Sequence, residues 1–230
     1  MNIKKILLPL MILGLCSFSW AKQGQEDTKE RINSAGEVLQ QVLNAPDKGV
    51  PEEVLESAKC VAVVPHLVKG AFIFGGEHGR GVVTCRTTNG WSAPAFFTVT
   101  GGSWGAQIGA QSTDLVMLVM NDQGAKHLLE SKFKIGAEAS AAAGPVGRHA
   151  SAGTDWKLET EILTYSRSHG LFAGISLDGS WIEKDGDSTK AFYGRDLDFR
   201  PVLTGEIAVP PDAEPFVREV RHAKIQADNK

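Results

Sequence analysis

The sequence predicts a single α+β domain: a largely antiparallel β-sheet with glycine-rich tight turns, flanked by N-terminal and C-terminal helices. Three observations predict this class. Several short segments in the middle of the chain alternate with a period of two, and helical periodicity is clearest near the two ends. The chain has 25 glycines without a collagen-like period, and 42% of its 230 residues are hydrophobic, which is enough for one complete core.

The predicted sheet is organised around residues 101–122. Glycine and alanine are frequent in the first half of this segment, so neighbouring backbone can approach it closely. Six apolar residues follow at positions 115–120. This run is too short for a membrane helix, which needs about 20 apolar residues, but it suits a strand that is buried on both faces. We therefore expect it to form the central strand.

The N-terminus has the features of a secretory signal peptide. Two lysines precede a short apolar run, and Ser19 and Ala21 place small residues where a leader peptidase requires them. We expect residues 1–21 to be removed by cleavage after Ala21. The mature protein would then be exported, and periplasmic or envelope-associated. An uncleaved membrane anchor is the alternative interpretation.

Residues 22–44 predict an amphipathic helix. Apolar residues recur there at helical intervals, namely Ile32, Ala35, Leu39 and Val42. Its polar face carries more acidic than basic residues, whereas a helix that lies on anionic lipid is normally rich in Lys and Arg. A helix packed on its own domain is therefore favoured over one that inserts into a membrane. Pro51 then begins a second, short helix.

From Cys60 the pattern changes to that of strands. Four segments bounded by Gly, Pro or Asn predict an antiparallel meander: CVAVV, GAFIFGG, GRGVVTCR and APAFFTVTGG. Later elements complete a domain over residues 45–228. They are a helix from Asn121 to Ser131, a strand at residues 132–135, a hairpin that turns at residues 168–170 and a C-terminal helix at residues 213–226.

The net charge argues against nucleic acid as a partner. The formal net charge is −3 at pH 7, and removing a leader that contains two lysines lowers it to about −5. Nucleic-acid binding normally requires a basic face. A site for an anion must therefore be a local group of basic residues.

Cys60 and Cys85 lie in neighbouring predicted strands. In an exported protein the simplest interpretation of such a pair is a disulfide. Free thiols are one alternative, and a metal site that includes His66 and His78 is another. The spacing of these four residues matches no familiar zinc pattern. We expect neither a metal nor a cofactor.

Ser103 lies in a G-x-S-x-G pattern, which in some hydrolases carries the nucleophile. That pattern requires a strand-to-helix turn and a later acid and histidine. The residues after Gly105 are a poor helix start, and no suitable Asp and His arrangement is apparent. We expect Ser103 to be structural and the protein not to be an enzyme.

Several long ordered motifs resemble the SYLF domain family. They are AKCVAVVP, KGAFIFGGEHGRGVV, GWSAPAFFTVTGGSWGAQIGAQSTDLVMLVMN, KIGAEASAAAGPVGR and YSRSHGLFAGISLDGS followed by AFYG. The resemblance covers roughly residues 45–225. It implies a non-enzymatic lipid-binding module, because eukaryotic members bind phosphoinositides, partly through an N-terminal amphipathic helix. A yeast member also bundles actin, which an exported protein would not meet.

We therefore expect a lipid-binding module of the bacterial envelope that contacts an anionic phospholipid surface through local basic residues. The candidates are Lys69, Arg80, Arg86, Lys132, Lys134 and Arg148. Apolar insertion from the N-terminal helix, Trp91 or Trp181 would add to their contribution. The alternative is a structural or stress-related envelope protein that acts through protein partners.

Overall fold

The computed structural model describes residues 7–43, 50–71, 74–104, 109–145, 160–168, 171–174 and 177–228. Its helices are α1 (Leu7–Leu43), α2 (Glu52–Ser57), α3 (Asp122–His127), α4 (Gly186–Tyr193), α5 (Phe199–Leu203) and α6 (Glu214–Asp228). Its strands are β1 (Cys60–Ala71), β2 (Phe74–Thr87), β3 (Gly90–Trp91), β4 (Ala95–Trp104), β5 (Gly109–Val119), β6 (Lys132–Lys134), β7 (Ala141–Ala143), β8 (Ile162–Ser168), β9 (Leu171–Gly174) and β10 (Trp181–Lys184). The α+β class and the flanking helices are confirmed.

The strands form one curled sheet in the order β6-β10-β4-β2-β1-β5-β8-β7, with β3 paired to β2 and β9 paired to β8. The named strand pairs are antiparallel except β7 with β8, which is parallel. The long pair β1 and β2 lies in the middle, and β4 and β5 lie on either side of it. Strands that are consecutive in sequence are therefore not always neighbours in the sheet, since β5 pairs with β1 and not with β4.

The four-strand meander was partly wrong. The predicted strand GAFIFGG does not exist as a unit, because its first residues end β1 and its last residues begin β2. Its glycines do not interrupt the strands, because Gly70 pairs directly with Gly76 inside the β1–β2 ladder. Backbone hydrogen bonding across a long hairpin tolerates glycine in both strands, so these glycines did not mark boundaries.

The apolar run after residue 114 is a strand that is buried on both faces, as predicted. In β5, Val116 and Leu118 belong to the core cluster beneath the helices, whereas Leu115 and Met117 belong to the cluster on the opposite face. The expectation that this run forms the central strand is wrong. β5 is an interior strand between β1 and β8, and the middle of the sheet is formed by β1 and β2.

α1 packs on its own domain, as the acidic polar face indicated. Ile32, Ala35 and Leu39 are each 0% exposed and lie in the core cluster between the helices and the sheet. Fully burying one large aliphatic side chain stabilises a fold by about 1.5–3 kcal/mol. α1 spans Leu7–Leu43, so residues 7–21 of the predicted leader continue directly into the packed helix. No helix in the described ranges has the length and apolar character needed to cross a membrane.

The helices after the meander agree only partly with prediction. Asn121 caps α3, since its side-chain oxygen accepts a hydrogen bond from the Gly124 N–H at 2.9 Å, but this helix ends at His127 and not at Ser131. The C-terminal helix is confirmed as α6. The sequence analysis missed α4 and α5, which are short and begin at capping aspartates. The β8–β9 hairpin is confirmed by its pairing, although its turn lies outside the described residues.

Candidate functional site

Cys60 and Cys85 form a disulfide, with an S–S distance of 2.08 Å. They are direct neighbours in the β1–β2 register. Both are largely buried. The disulfide prediction is confirmed, and the alternatives of free thiols and of a metal site using these cysteines are wrong. No group of three or more His, Cys, Asp or Glu in the described part of the chain is placed to hold a metal ion.

Arg80 belongs to an ion network that fastens α1 to the sheet and to α4. Its guanidinium lies 3.0 Å from Asp27 and donates to Ser188 Oγ at 3.2 Å. Arg31 of α1 lies 3.1 Å from Asp27 and 3.2 Å from Asp185. The side chains of Arg31 and Asp185 are only 7% and 12% exposed. Arg80 therefore makes internal contacts that stabilise the docking of α1.

Opposing influences act on the pKa of Asp185. Burial alone would raise it, but Ser188 donates to the carboxylate from its hydroxyl at 2.6 Å and from its backbone N–H at 3.0 Å, and Arg31 adds positive charge. The pKa of Asp185 therefore lies below its ordinary value. Burial, and next the repulsion from Arg80, lowers the pKa of Arg31, although a guanidinium in a protein stays charged.

Lys69 and Arg86 also contact groups inside the molecule. Lys69 Nζ lies 2.8 Å from a carboxylate oxygen of Glu77. Arg86 donates to two backbone carbonyls at the end of α2, at 3.1 and 3.3 Å, and lies 4.7 Å from the centre of the Trp91 ring. Trp91 is only 9% exposed. It is therefore not available for insertion into a membrane.

Lys132, Lys134 and Trp181 form a basic and aromatic group at the β6 edge of the sheet, which we name the Trp181 patch. The ammonium groups of Lys132 and Lys134 lie 5.1 and 5.5 Å from the centre of the same indole ring. Glu183 lies 3.1 Å from Lys132 Nζ. Cation–π contact keeps both lysines at the aromatic surface. The alternation predicted at residues 132–135 is confirmed, since Phe133 is buried between them.

Two predicted site residues, Arg148 and Ser103, are not described with their side chains. Arg148 is outside the described residues. For Ser103 only the backbone is described, and it pairs with Gly75 inside β4. Ser103 thus lies within a strand, whereas a hydrolase nucleophile of this pattern lies at a strand-to-helix turn. This geometry argues against the hydrolase interpretation.

The strand registers bring six side chains into one line across six strands. This line lies on the same face of the sheet as α1, but α1 covers a different part of the strands. We name this line the open row: Lys134, Trp181, Thr100, His78, Val68 and Ser112. The last three are exposed and the first three are half-buried. A parallel line on the same face lies beneath the helices, and we name it the covered row: Phe96, Val82, Val63, Val116 and Tyr165.

A bulge in β1 places Val68 in the open row. The register shifts between Val63 and Val68, and His66 there has a left-handed backbone with φ of 58°. Its N–H donates to Asp114 at 3.1 Å. The extra residue turns Leu67 into the core and Val68 outward. The sequence analysis missed Val68 because a bulge reverses the alternation on which the prediction of faces depends.

Fold and site together define the class: an α+β domain with basic and aromatic side chains on an open part of its sheet. A family profile described as Ysc84, "Las17-binding protein actin regulator", matches residues 100–223, which is more than half of the chain. The chain therefore belongs to the SYLF (Ysc84) family. That description names binding and regulation and no catalytic activity.

Several relatives extend the match over most of this chain. It is 33% identical over 200 residues to Protein YSC84 of Saccharomyces cerevisiae, covering 83% of this chain and 42% of that protein. It is 34% identical to LAS seventeen-binding protein 3 of the same yeast, covering 77% and 39%. It is 30% identical to human SH3 domain-containing YSC84-like protein 1, covering 81% and 56%. The chain thus spans roughly half the length of these relatives or less.

Proposed function

We propose that this chain is a non-enzymatic binding module that contacts anionic phospholipid surfaces through the Trp181 patch. The observation that carries the proposal is the placement of two ammonium groups over one partly exposed indole at the sheet edge. Basic side chains attract lipid phosphates, and tryptophan is favoured at the membrane interface.

The other basic candidates support this choice by contrast. Arg80 and Lys69 are each within 3.0 Å of a carboxylate, and Arg86 is engaged by backbone carbonyls and by a buried ring. Moving any of them to a membrane would break an internal contact. The ammonium group of Lys134 makes no ion pair with a described residue, although its backbone N–H donates to the Glu138 carboxylate at 2.6 Å.

The expected affinity is low. Each basic residue close to an anionic surface contributes about 1 kcal/mol, and this falls off within a Debye length of about 8 Å at physiological salt. Two lysines therefore supply about 2 kcal/mol, which the neighbouring Glu183 partly offsets. Such binding is salt-sensitive, and it requires an apolar contribution to reach micromolar strength.

We also propose that the protein is exported and cleaved after Ala21, and that it acts at the bacterial envelope. The basic start and the small residues before the expected cleavage site support this proposal. A buried disulfide is compatible with an oxidising compartment. Intact mass of the secreted protein is the test, and a mass that retains Met1 would contradict it.

Co-sedimentation with vesicles tests the lipid proposal. We expect binding to phosphatidylglycerol vesicles, weaker binding to phosphatidylcholine vesicles, and a loss at high salt. Reversal of two charges in Lys132→Glu/Lys134→Glu should abolish binding, whereas Lys190→Glu/Arg195→Glu, which changes the net charge equally at exposed positions, should retain it. Equal binding by both variants would contradict a role for the patch.

A protein partner is the second candidate function. The name of the yeast relative LAS seventeen-binding protein 3 favours it. In that case the chain would serve as a structural or stress-related envelope protein through protein contacts. The two proposals differ in vesicle experiments with purified components, because a module that needs a protein partner will not sediment with pure lipid.

A further inference from the structure

We propose that the open row is the surface that lies against the membrane, and that Val68 is the side chain that enters the lipid. This inference rests on the proposed lipid-binding function and specifies the face that carries it. It places apolar insertion on the sheet, at a position where sequence analysis expected none, and not on helix α1.

The register connects Val68 to the Trp181 patch. Trp181 is directly opposite Lys134 on one side and Thr100 on the other, and Thr100 is opposite His78. His78 is in turn opposite Val68. One uncovered line across the sheet therefore joins an ammonium group and an indole at one end to an exposed aliphatic side chain further along.

Val68 is unusually exposed for its type. Its exposed fraction is 49%, and no other large hydrophobic side chain in the described part of the chain is classed as exposed. The exposure follows from the bulge, because a regular strand would have turned Val68 into the core. The bulge requires a non-glycine residue, His66, in the left-handed region, which is energetically unfavourable. Bulges of this kind often re-aim a side chain at a functional site.

Helix α1 does not offer an equivalent apolar surface. Its residues Ile32, Ala35 and Leu39 are completely buried, and the Asp185 network fastens the helix through Arg31. Releasing α1 to insert these residues would uncover the core. The open row needs no such rearrangement, since its side chains are already exposed or half-buried.

The charges on this face favour an anionic bilayer. Two carboxylates on this face have cationic neighbours, because Glu183 lies 3.1 Å from Lys132 and Asp114 lies 3.4 Å from Arg167. The ammonium group of Lys134 makes no ion pair with a described residue and adds positive charge, although the Glu138 carboxylate lies 2.6 Å from the Lys134 backbone nitrogen. The face therefore combines positive charge with apolar side chains, which matches the charge and the interior of an anionic membrane.

The backbone beyond Val68 permits close approach. Gly70, Gly76 and Gly102 are aligned across three strands, two residues beyond the open row. A Cβ at Gly70 or Gly102 would meet nothing within 4 Å, and none of the three has a positive φ. Internal packing thus gives no reason for glycine here. A side-chain-free surface lets lipid headgroups come close to Val68.

A fluorescence experiment tests this orientation. The experiment uses the full chain with Cys16→Ser in every variant. An environment-sensitive fluorophore is attached to Val68→Cys. The control carries the same fluorophore at Gln40→Cys on the exposed side of α1. With phosphatidylglycerol vesicles we expect a blue shift and quenching by lipid-borne quenchers at position 68, and neither at position 40. Separately, Val68→Asp should weaken vesicle binding about tenfold, whereas Gln40→Asp should not.

The outcomes separate this inference from the proposed function. If the protein sediments with vesicles but the probe at position 68 is silent, or the probe at position 40 responds, the open row is not the membrane face and lipid binding stands. Wild-type affinity in Val68→Asp would lead to the same conclusion. If the unlabelled protein does not sediment with anionic vesicles at all, both proposals are wrong.

Discussion

Phe96 and Thr100 lie on the same strand and face the same side of the sheet, but Phe96 is completely buried and Thr100 is half-buried. The same contrast recurs on β2 between Val82 and His78. Position along the strand makes the difference, because α1 and its neighbours cover one half of the face and leave the other half open. A single sheet can thus build a core at one end and leave an open surface at the other.

The boundary between the two halves is an ion network. Arg80 lies on β2 between Val82 of the covered row and His78 of the open row, and it reaches Asp27 of α1. Arg31 lies 5.4 Å from the ring centre of Phe96 and pairs with Asp185. Buried cations next to apolar residues need such partners. The network satisfies the charged groups at the margin of the helix layer.

The largest expected effect separates the two rows directly. Phe96→Ala removes a fully buried ring and leaves a cavity, so it should lower the free energy of unfolding by about 3–5 kcal/mol. Val68→Ala should change it by no more than about 0.5 kcal/mol, because the side chain is exposed. Chemical denaturation of both variants is the measurement. Similar losses would contradict the division of the face.

A second prediction concerns the disulfide at the covered end of the sheet. Its cysteines are 25 residues apart, and for a loop of this length a disulfide contributes about 3 kcal/mol in the chain-entropy model. Cys60→Ala/Cys85→Ala should lose about this amount. It should keep vesicle binding below its melting temperature, since the open row lies further along the strands. If the folded double variant no longer binds vesicles, the disulfide end of the sheet affects the open row, and this prediction is wrong.

A third prediction uses glycines from the two halves of the β1–β2 pair. A Cβ at Gly81 would lie 2.5 Å from the Phe97 ring and 2.8 Å from the Val63 carbonyl oxygen. Gly81→Ala should therefore destabilise the fold by about 1–3 kcal/mol through overpacking. Gly70→Ala meets open space and should stabilise it by about 0.5 kcal/mol through reduced chain entropy. Thermal melts of both variants decide between these signs.

The smallest expected effect is on acid stability at the boundary network. The pKa of Asp185 in the folded state lies below its ordinary value of 3.8. A lowered folded pKa stabilises the protein above the unfolded pKa, and this stabilisation is lost as pH falls from about 4 through the folded value. Asp185→Asn should make unfolding less dependent on pH below about pH 4. If the free energy of unfolding falls equally with pH in Asp185→Asn and wild type, Asp185 contributes little to acid stability.

Local patterns predicted much of the fold. Alternation placed Phe133 inward between two outward lysines, helical spacing identified the buried face of α1, and Asn121 marked the start of α3. These signals depend on contacts within a few residues of the chain. The prediction failed at the glycines of β1 and β2, since pairing between distant strands decides whether a glycine interrupts a strand.

The candidate site was predicted less completely. Lys132 and Lys134 face outward, as predicted. No local pattern predicts that Trp181 lies beside them, because β10 pairs with β6 although about 50 residues separate them in the sequence. It also expected Arg80 to face a ligand. The partners of Arg80, Asp27 and Asp185, lie more than 50 residues away on either side, so no local pattern reveals them.

The sequence by itself determined the α+β class and the packed face of the N-terminal helix, because periodicity and residue chemistry act over short distances. It favoured a Cys60–Cys85 disulfide, which the register of β1 and β2 then established. Tertiary structure alone decided the strand order, the helix cover that divides one sheet face into two halves, and the bulge at His66 that turns Val68 outward. The reason is physical: burial depends on which distant segment packs over a residue, and a one-residue shift in register reverses the face of everything that follows it.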